Sequence, residues 1–230
     1  YRNPDYHIFE MRNEYIPVDE DVLPVEPPRL GIGVYDTAEA FDFYNLKGIV
    51  EEIMEKAGVK EYEFARASED SVFDEYYAFH PGRTAVVKVG DEEIAIFGEL
   101  HPDVLENYGI GTRAYAGKIN MNELMEKSSS EKIYRPLPKF PATTRDISVV
   151  CEADLPVAVI EKTIKRAAGQ ILEKVSLFDV YTGEQIENGK KSVSYSLSMR
   201  SHEGTLNDEQ ADKAMDKIVK ALEEIGVYRR

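Results

Sequence analysis

His80, Arg83, Glu99 and His101 are the side chains whose types suit acid–base or metal chemistry, and their spacing argues against both. No two histidines sit at i, i+4 and no His–Cys set exists, so the patterns that build a zinc site are missing. Glu99-Leu100-His101 places its two polar residues on one strand face just before a proline helix start, and Pro81 and Gly82 make His80-Pro81-Gly82-Arg83 a structural turn. Gly31-Ile32-Gly33 and Gly109-Ile110-Gly111 lack the further glycines and the strand–helix context of a phosphate loop. Cys151, the single cysteine, lies in an alternating apolar run and reads as core rather than nucleophile. No catalytic residue and no metal ligand is expected on this chain.

A different chemistry lies in the strand Lys190–Arg200. Val193, Tyr195, Leu197 and Met199 alternate with Ser192, Ser194, Ser196 and Ser198, so one face meets a core and the other presents a row of hydroxyls. Arg145–Glu152 agrees, with Ile147, Val149 and Cys151 inward and Asp146 and Ser148 outward. Lys174–Tyr181 is ambiguous, because Val175/Leu177/Asp179/Tyr181 and Ser176/Phe178/Val180 are both mostly apolar. A polar open sheet face suits splayed-out RNA bases, though it is also what an ordinary solvated sheet shows. The basic-Gly-aromatic run of the common single-strand RNA module is absent at Lys190-Lys191-Ser192-Val193. Tyr181 could stack on a base; Lys190, Lys191 and Arg200 could meet phosphates, and Arg145 could do so or pair with Asp146.

The elements that must position these residues divide at a linker. Residues 1–132 hold 13 Lys+Arg against 28 Asp+Glu, and residues 133–230 hold 15 against 15, which together give the net charge of -15. All the excess acid therefore lies in the first part, and the neutral second part permits local base reading without tight sequence-independent binding. In the first part an edge strand (Tyr6–Met11), a loop (Asp19–Arg29) and a strand (Leu30–Tyr35) precede a helix from Asp42 to the stop at Gly58. A strand (Tyr62–Ala67), a hairpin (Thr84–Val89 and Glu92–Leu100), a short helix from Pro102 and a strand (Ala114–Met121) follow. Lys127-Ser128-Ser129-Ser130 is the linker, within 127–133. Beyond the extended arm Tyr134–Pro141, the order is βαββαβ. Its helices are Pro156–Ala168 and Asp208–Ile225, the second capped by Thr205 with Asp208 or by Asn207 with Gln210. The whole is of α+β class. A lone cysteine, no signal peptide and no bilayer-length apolar run suggest a soluble cytoplasmic protein, and the opening at Tyr1 suggests a piece of a longer polypeptide.

Phe140-Pro141-Ala142-Thr143-Thr144-Arg145-Asp146-Ile147-Ser148-Val149-Val150, Leu177-Phe178-Asp179-Val180-Tyr181-Thr182-Gly183, Gly189-Lys190-Lys191-Ser192, and Arg200 followed by Thr205-Leu206-Asn207-Asp208-Glu209 occur in order across residues 134–230. Together they resemble the ferredoxin-fold anticodon-binding domain of the bacterial-type phenylalanine–tRNA ligase β subunit. Asp42-Phe43-Tyr44-Asn45-Leu46-Lys47-Gly48, His80-Pro81-Gly82-Arg83 and Gly98-Glu99-Leu100-His101-Pro102 resemble the segment before it. The resemblance implies that residues 1–126 belong to an inactive, class II synthetase-like antiparallel sheet with helices, followed by a ferredoxin-like domain over 134–230. It also implies tRNA(Phe) and the catalytic α subunit as partners in an (αβ)₂ heterotetramer, with ATP and Mg²⁺ bound on that other subunit. Neither membrane nor DNA is an expected partner. The family's anticodon contacts carry over to Ser148, Asp179 and Ser192, with Ser148 acting through its hydroxyl or its backbone. A phenylalanine anticodon begins with guanine, whose Watson–Crick edge presents N–H donors to an acceptor-only carboxylate such as Asp179. The alternative is a small-molecule-sensing ferredoxin-like regulatory domain on a degenerate enzyme core; a hydrolase using His80 and His101 is a further rival.

Overall fold

The computed structural model describes residues 5–19, 21–38, 40–131, 134, 136–201 and 204–230. The opening residues 1–4, linker positions 132 and 133, and Arg135 of the arm lie outside the described residues. The chain forms two compact units, Tyr1–Ile133 and Tyr134–Arg230.

In the first unit, strands β1 (Asp5–Asn13), β2 (Pro28–Asp36), β3 (Tyr62–Arg66), β4 (Phe79–Val89), β5 (Glu92–Leu100) and β6 (Ala114–Asn120) form one antiparallel sheet ordered β1-β2-β6-β5-β4-β3. Helix α1 (Phe43–Ala57) starts at a capping box in which Asp42 accepts from Tyr44 and Asn45 backbone N–H groups, and it stops at Gly58, whose φ of 71° is the left-handed conformation glycine tolerates. Leu46, Val50 and Met54 of α1 are buried with Val87, Ala95 and Phe97, while Val86 and Ile96 pack the opposite face with Phe73 and Phe79. Burial on both faces explains why Ile94–Phe97 is a continuous apolar run rather than an alternating one.

Two local readings change. The His80–Arg83 turn lies inside β4, where pairing jumps from Phe79↔Leu100 to Thr84↔Gly98. A Cβ at position 98 would collide with the Arg83 carbonyl oxygen and lie 2.8 Å from Thr84 Cα, so glycine is what lets the bulged segment close on β5. Gly98→Ala is expected to lower stability by about 1–3 kcal/mol, the scale of an overpacked site, measured by urea unfolding of the chain. A helix α2 (Pro102–Asn107) follows β5 as expected, but a second short helix, α3 (Met121–Lys127), occupies what read as strand end and linker start. Its Leu124 is buried in the first unit, Lys127 pairs with Glu92 at 2.7 Å, and the Ser129 N–H donates to the Ala57 carbonyl at 3.1 Å.

The second unit contains β7 (Thr143–Glu152), α4 (Val157–Ala168), β8 (Leu172–Tyr181), β9 (Lys190–Met199), α5 (Asp208–Glu223) and β10 (Tyr228–Arg229), with strand order β10-β7-β9-β8. This is the ferredoxin-like βαββαβ arrangement. Asn207 and Gln210 form the capping box of α5, and Pro156 is the N-cap of α4. Ile147, Val149 and Cys151 of β7 and the alternate residues Val193, Tyr195, Leu197 and Met199 of β9 meet Ile160, Ile164, Ala211, Ile218 and Leu222 of the helices. Cys151 is thus a core residue whose thiol is pushed up by burial, as the sequence suggested. Among the described residues no helix is long and apolar enough to cross a membrane.

Candidate nucleic-acid interface

With both helices on one face of the second sheet, the outward residues fall into rows set by strand register. Ser194 of β9 pairs with Ser148 of β7 on one side and with Asp179 of β8 on the other. The Arg230 backbone N–H extends the row by donating to the Ser148 carbonyl at 2.9 Å. In the neighbouring row, Ser192 lies between Val150 and Tyr181, with Tyr228 of β10 beyond Val150.

Asp179 reaches this face because β8 is bulged. Leu177 pairs with Tyr195 and Asp179 with Ser194, which leaves Phe178 as the extra residue. Val175 and Leu177 therefore share the helix-side face, while Asp179 and Tyr181 share the open one. Asp179 is exposed and has no hydrogen-bond or ion-pair partner among the described residues, so both its oxygens are available as acceptors. Ser148 is half-buried and its Oγ lies 2.8 Å from Ser194 Oγ, a shared bond that still leaves acceptor capacity on both hydroxyls.

The other expected residues have local surroundings of their own. Ser192 is only 2% exposed, so it is not on an open surface: it is a small side chain on a central strand between two large neighbours, and the Arg230 guanidinium lies 5.8 Å from the centroid of the Tyr181 ring. Lys191 does not face solvent as a phosphate clamp. It shares the inward parity of Val193, and its Nζ donates to the carbonyls of Ala153 and Leu155 at 3.0 and 2.6 Å, holding the turn before α4. Arg200 is engaged by Glu173 at 3.1 Å and by the Phe140 carbonyl, Lys190 by Glu187 at 2.7 Å, and Arg145 by Asp208 at 2.6 Å rather than by Asp146. Lys191→Ala is accordingly expected to cost about 1–3 kcal/mol in thermal or urea unfolding while leaving the salt dependence of any RNA binding unchanged. Tyr181 keeps an outward ring, whose hydroxyl end lies over Gly183.

Ser194 and Arg230 were not singled out from sequence. Ser194 sits between the two positions that were, and the ferredoxin strand order would have set the last strand beside Arg145–Glu152 and hence Arg230 opposite Ser148. In the first unit, Arg83 donates to both Glu99 oxygens at 2.7 and 2.8 Å, His80 Nδ1 accepts from the Gly82 N–H, and His101 Nδ1 caps α2 by accepting from the Asp103 N–H. Each of these groups has a local structural partner.

Residues 138–230 match the family described as the ferredoxin-fold anticodon binding domain. Residues 1–121 match the family described as the phenylalanyl tRNA synthetase beta chain CLM domain, and the chain belongs to the phenylalanyl-tRNA synthetase β-chain family. It is 43% identical to the phenylalanine–tRNA ligase β subunit of Clostridium acetobutylicum over 219 residues, 95% of this chain and 26% of that one. To the same-named subunit of Clostridium tetani it is 43% identical over 224 residues, 96% of this chain and 27% of that one. The chain therefore spans about a quarter of the length of these curated relatives. A crystal structure of pyrrolysyl-tRNA synthetase from Desulfitobacterium hafniense superposes with a TM-score of 0.40 at 19% identity, over 54% of this chain and 42% of that one, a likeness too distant to carry a conclusion.

Proposed function

We propose that this chain is a non-catalytic region of a phenylalanine–tRNA ligase β subunit that binds the anticodon of tRNA(Phe) on the open face of its second sheet. The observation that carries the reading is the row Asp179–Ser194–Ser148, where an exposed carboxylate without a partner among the described residues lies in register with the half-buried Ser148 hydroxyl, the buried Ser194 standing between them. Guanine, the first base of a phenylalanine anticodon, offers two adjacent N–H donors to one carboxylate, and small neighbours let the base approach the sheet.

The first unit supports a role in assembly with the catalytic α subunit. Every residue of β1 is exposed, with Ile8 61%, Phe9 79% and Met11 63% accessible, and Leu23 in the following loop is 86% accessible. An edge strand flanked by so much apolar surface is what an interface buries. An (αβ)₂ assembly in the cytoplasm completes this reading. ATP and Mg²⁺ would belong to the catalytic subunit. The residues here do not fit them: Glu99 is tied to Arg83, Gly31 and Gly33 lie within β2, and among the described residues no three His, Cys, Asp or Glu side chains converge on a metal position.

The test is to titrate the chain, at a stated low salt, with an anticodon stem-loop carrying guanine first and with one carrying another base there. Preference for the guanine loop supports the reading. Equal binding of the two overturns it, whereas weak absolute affinity does not, since a neutral unit supplies little electrostatic attraction.

A further inference from the structure

Arg83, Glu99 and Arg113 form a charged cluster in the first unit that takes no part in base reading. Glu99 lies on β5 opposite Tyr115 of β6. The start of α1 covers the neighbouring ground, with Phe43 stacked on Phe97 at 5.5 Å and Phe41 against the Tyr115 ring at 5.6 Å. The Glu99 side chain is 7% exposed, while those of Arg83 and Arg113 are 45% and 54% exposed. A buried carboxylate is thus the floor of the cluster, and two guanidiniums carry its charge outward.

The donors of these guanidiniums are not used up. Both Glu99 oxygens accept from one nitrogen of Arg83, Nη1, at 2.7 and 2.8 Å. The Nε and Nη2 hydrogens remain, and these form the parallel pair along one edge of the planar fork that fits a carboxylate in bidentate fashion. Arg113 approaches Glu99 through Nε at 3.9 Å and has the Tyr115 phenol as a hydrogen-bond partner, two contacts for five N–H donors. The acids nearest in the fold are engaged elsewhere: Asp42 caps α1 through the Tyr44 and Asn45 amides, and Asp103 pairs with His101 at 3.6 Å. Among the described residues Glu99 is the one acid that meets Arg83.

Two cations on one buried anion leave a local excess of one positive charge, in a region where residues 1–132 hold 13 Lys+Arg against 28 Asp+Glu. Those acidic surroundings oppose a phosphate dianion more than a monoanion, and a polyanion such as RNA more strongly still. A single planar carboxylate suits both the charge and the fork. Glu99 adds alignment, because its two bonds to one nitrogen fix the plane of the Arg83 guanidinium before any anion arrives and so reduce the ordering cost of binding.

We propose that Arg83 and Arg113, aligned by Glu99, bind one carboxylate group that does not belong to this chain. The assignment is independent of the anticodon reading above.

Phenylglyoxal, which attacks guanidinium groups, tests the site when adducts on the chain are mapped by mass spectrometry. Sodium acetate is expected to slow modification of Arg83 and Arg113 about ten-fold relative to sodium chloride at the same ionic strength, the scale of one or two charge-assisted hydrogen bonds, while exposed Arg166 reacts equally in both salts. Arg113→Ala, an exposed change, should raise the acetate concentration that half-protects Arg83 about ten-fold. Glu99→Gln separates alignment from charge. It makes the cluster more positive by one, yet protection should weaken, because an amide offers one acceptor oxygen where the carboxylate offered two. Tighter acetate binding by Glu99→Gln would mark attraction by charge alone and overturn the site; should that variant fail to fold, Arg113→Ala decides. Acetate protecting no better than chloride, or phosphate protecting at lower concentration than acetate, overturns it too. Arg113→Glu then identifies the source in the assembled ligase proposed above: loosened subunit assembly marks a side chain of the other subunit, and unchanged assembly marks a small free carboxylate.

Discussion

Asp179→Ala is expected to remove most of the preference for a guanine-first anticodon loop, about ten- to hundred-fold, because one carboxylate accepting two N–H donors is worth about 1–3 kcal/mol of base discrimination. Three features make the effect readable. Asp179 is exposed on β8, which has only β9 as a neighbour, and has no partner among the described residues, so alanine there leaves nothing buried and unpaired. Stability should therefore stay within about 0.5 kcal/mol of the parent. The residue carries negative charge, so its loss slightly favours RNA in general. Affinity for loops without guanine should hold or rise, and the lost preference cannot be ascribed to weaker phosphate attraction. Asp179→Asn keeps one acceptor oxygen but turns an amino group toward the base, and it should discriminate no better than alanine. Full guanine preference in Asp179→Ala would move the recognition site elsewhere on the sheet.

Asp179 also shows how far the sequence could be followed. On β7 and β9 a strict period of two sorted inward from outward residues, and the burial of Ile147, Val149, Val193, Tyr195 and Leu197 agrees with it. On β8 no fixed period could work, because the extra residue Phe178 shifts the strand by one and moves Asp179 to the face opposite Leu177. The burial of Ser192 was not legible for another reason. Alternation states which way a side chain points and not what lies above it, and its cross-strand neighbours with Arg230 come from segments distant in sequence. Lys191 was more legible, since alternation already put it on the side of Val193, where a lysine must reach carbonyl acceptors. Helix α3 was missed because seven residues hold only two turns, too few to separate a helical period from a strand end.

Tyr195→Ala is expected to be the most destabilising single change in the second unit. The residue is fully buried in β9, paired with Ile147 and Leu177, and its Ser194 and Ser196 neighbours point to the opposite side of the sheet. Truncation removes an aromatic ring from the centre of the core and leaves a cavity, at about 3–5 kcal/mol, which is a large share of what a domain of this size possesses. Hydrogen exchange should show protection lost across β7, β8 and β9, and guanine preference should fall with it because the register holding Asp179 beside Ser194 depends on that strand. Tyr195→Phe separates packing from the hydroxyl. The phenol donates to the Val157 carbonyl at 3.4 Å, a long bond, so its removal should cost about 1 kcal/mol or less. Burial pushes this phenol well above the usual tyrosine value, with Glu161 a smaller cause. A group whose proton is held more tightly when folded contributes stability that is complete below the unfolded value and is lost as pH rises beyond it. The parent chain should therefore lose stability more steeply than Tyr195→Phe above about pH 10. Parallel alkaline profiles would show that the phenol ionises in place without unfolding the strand.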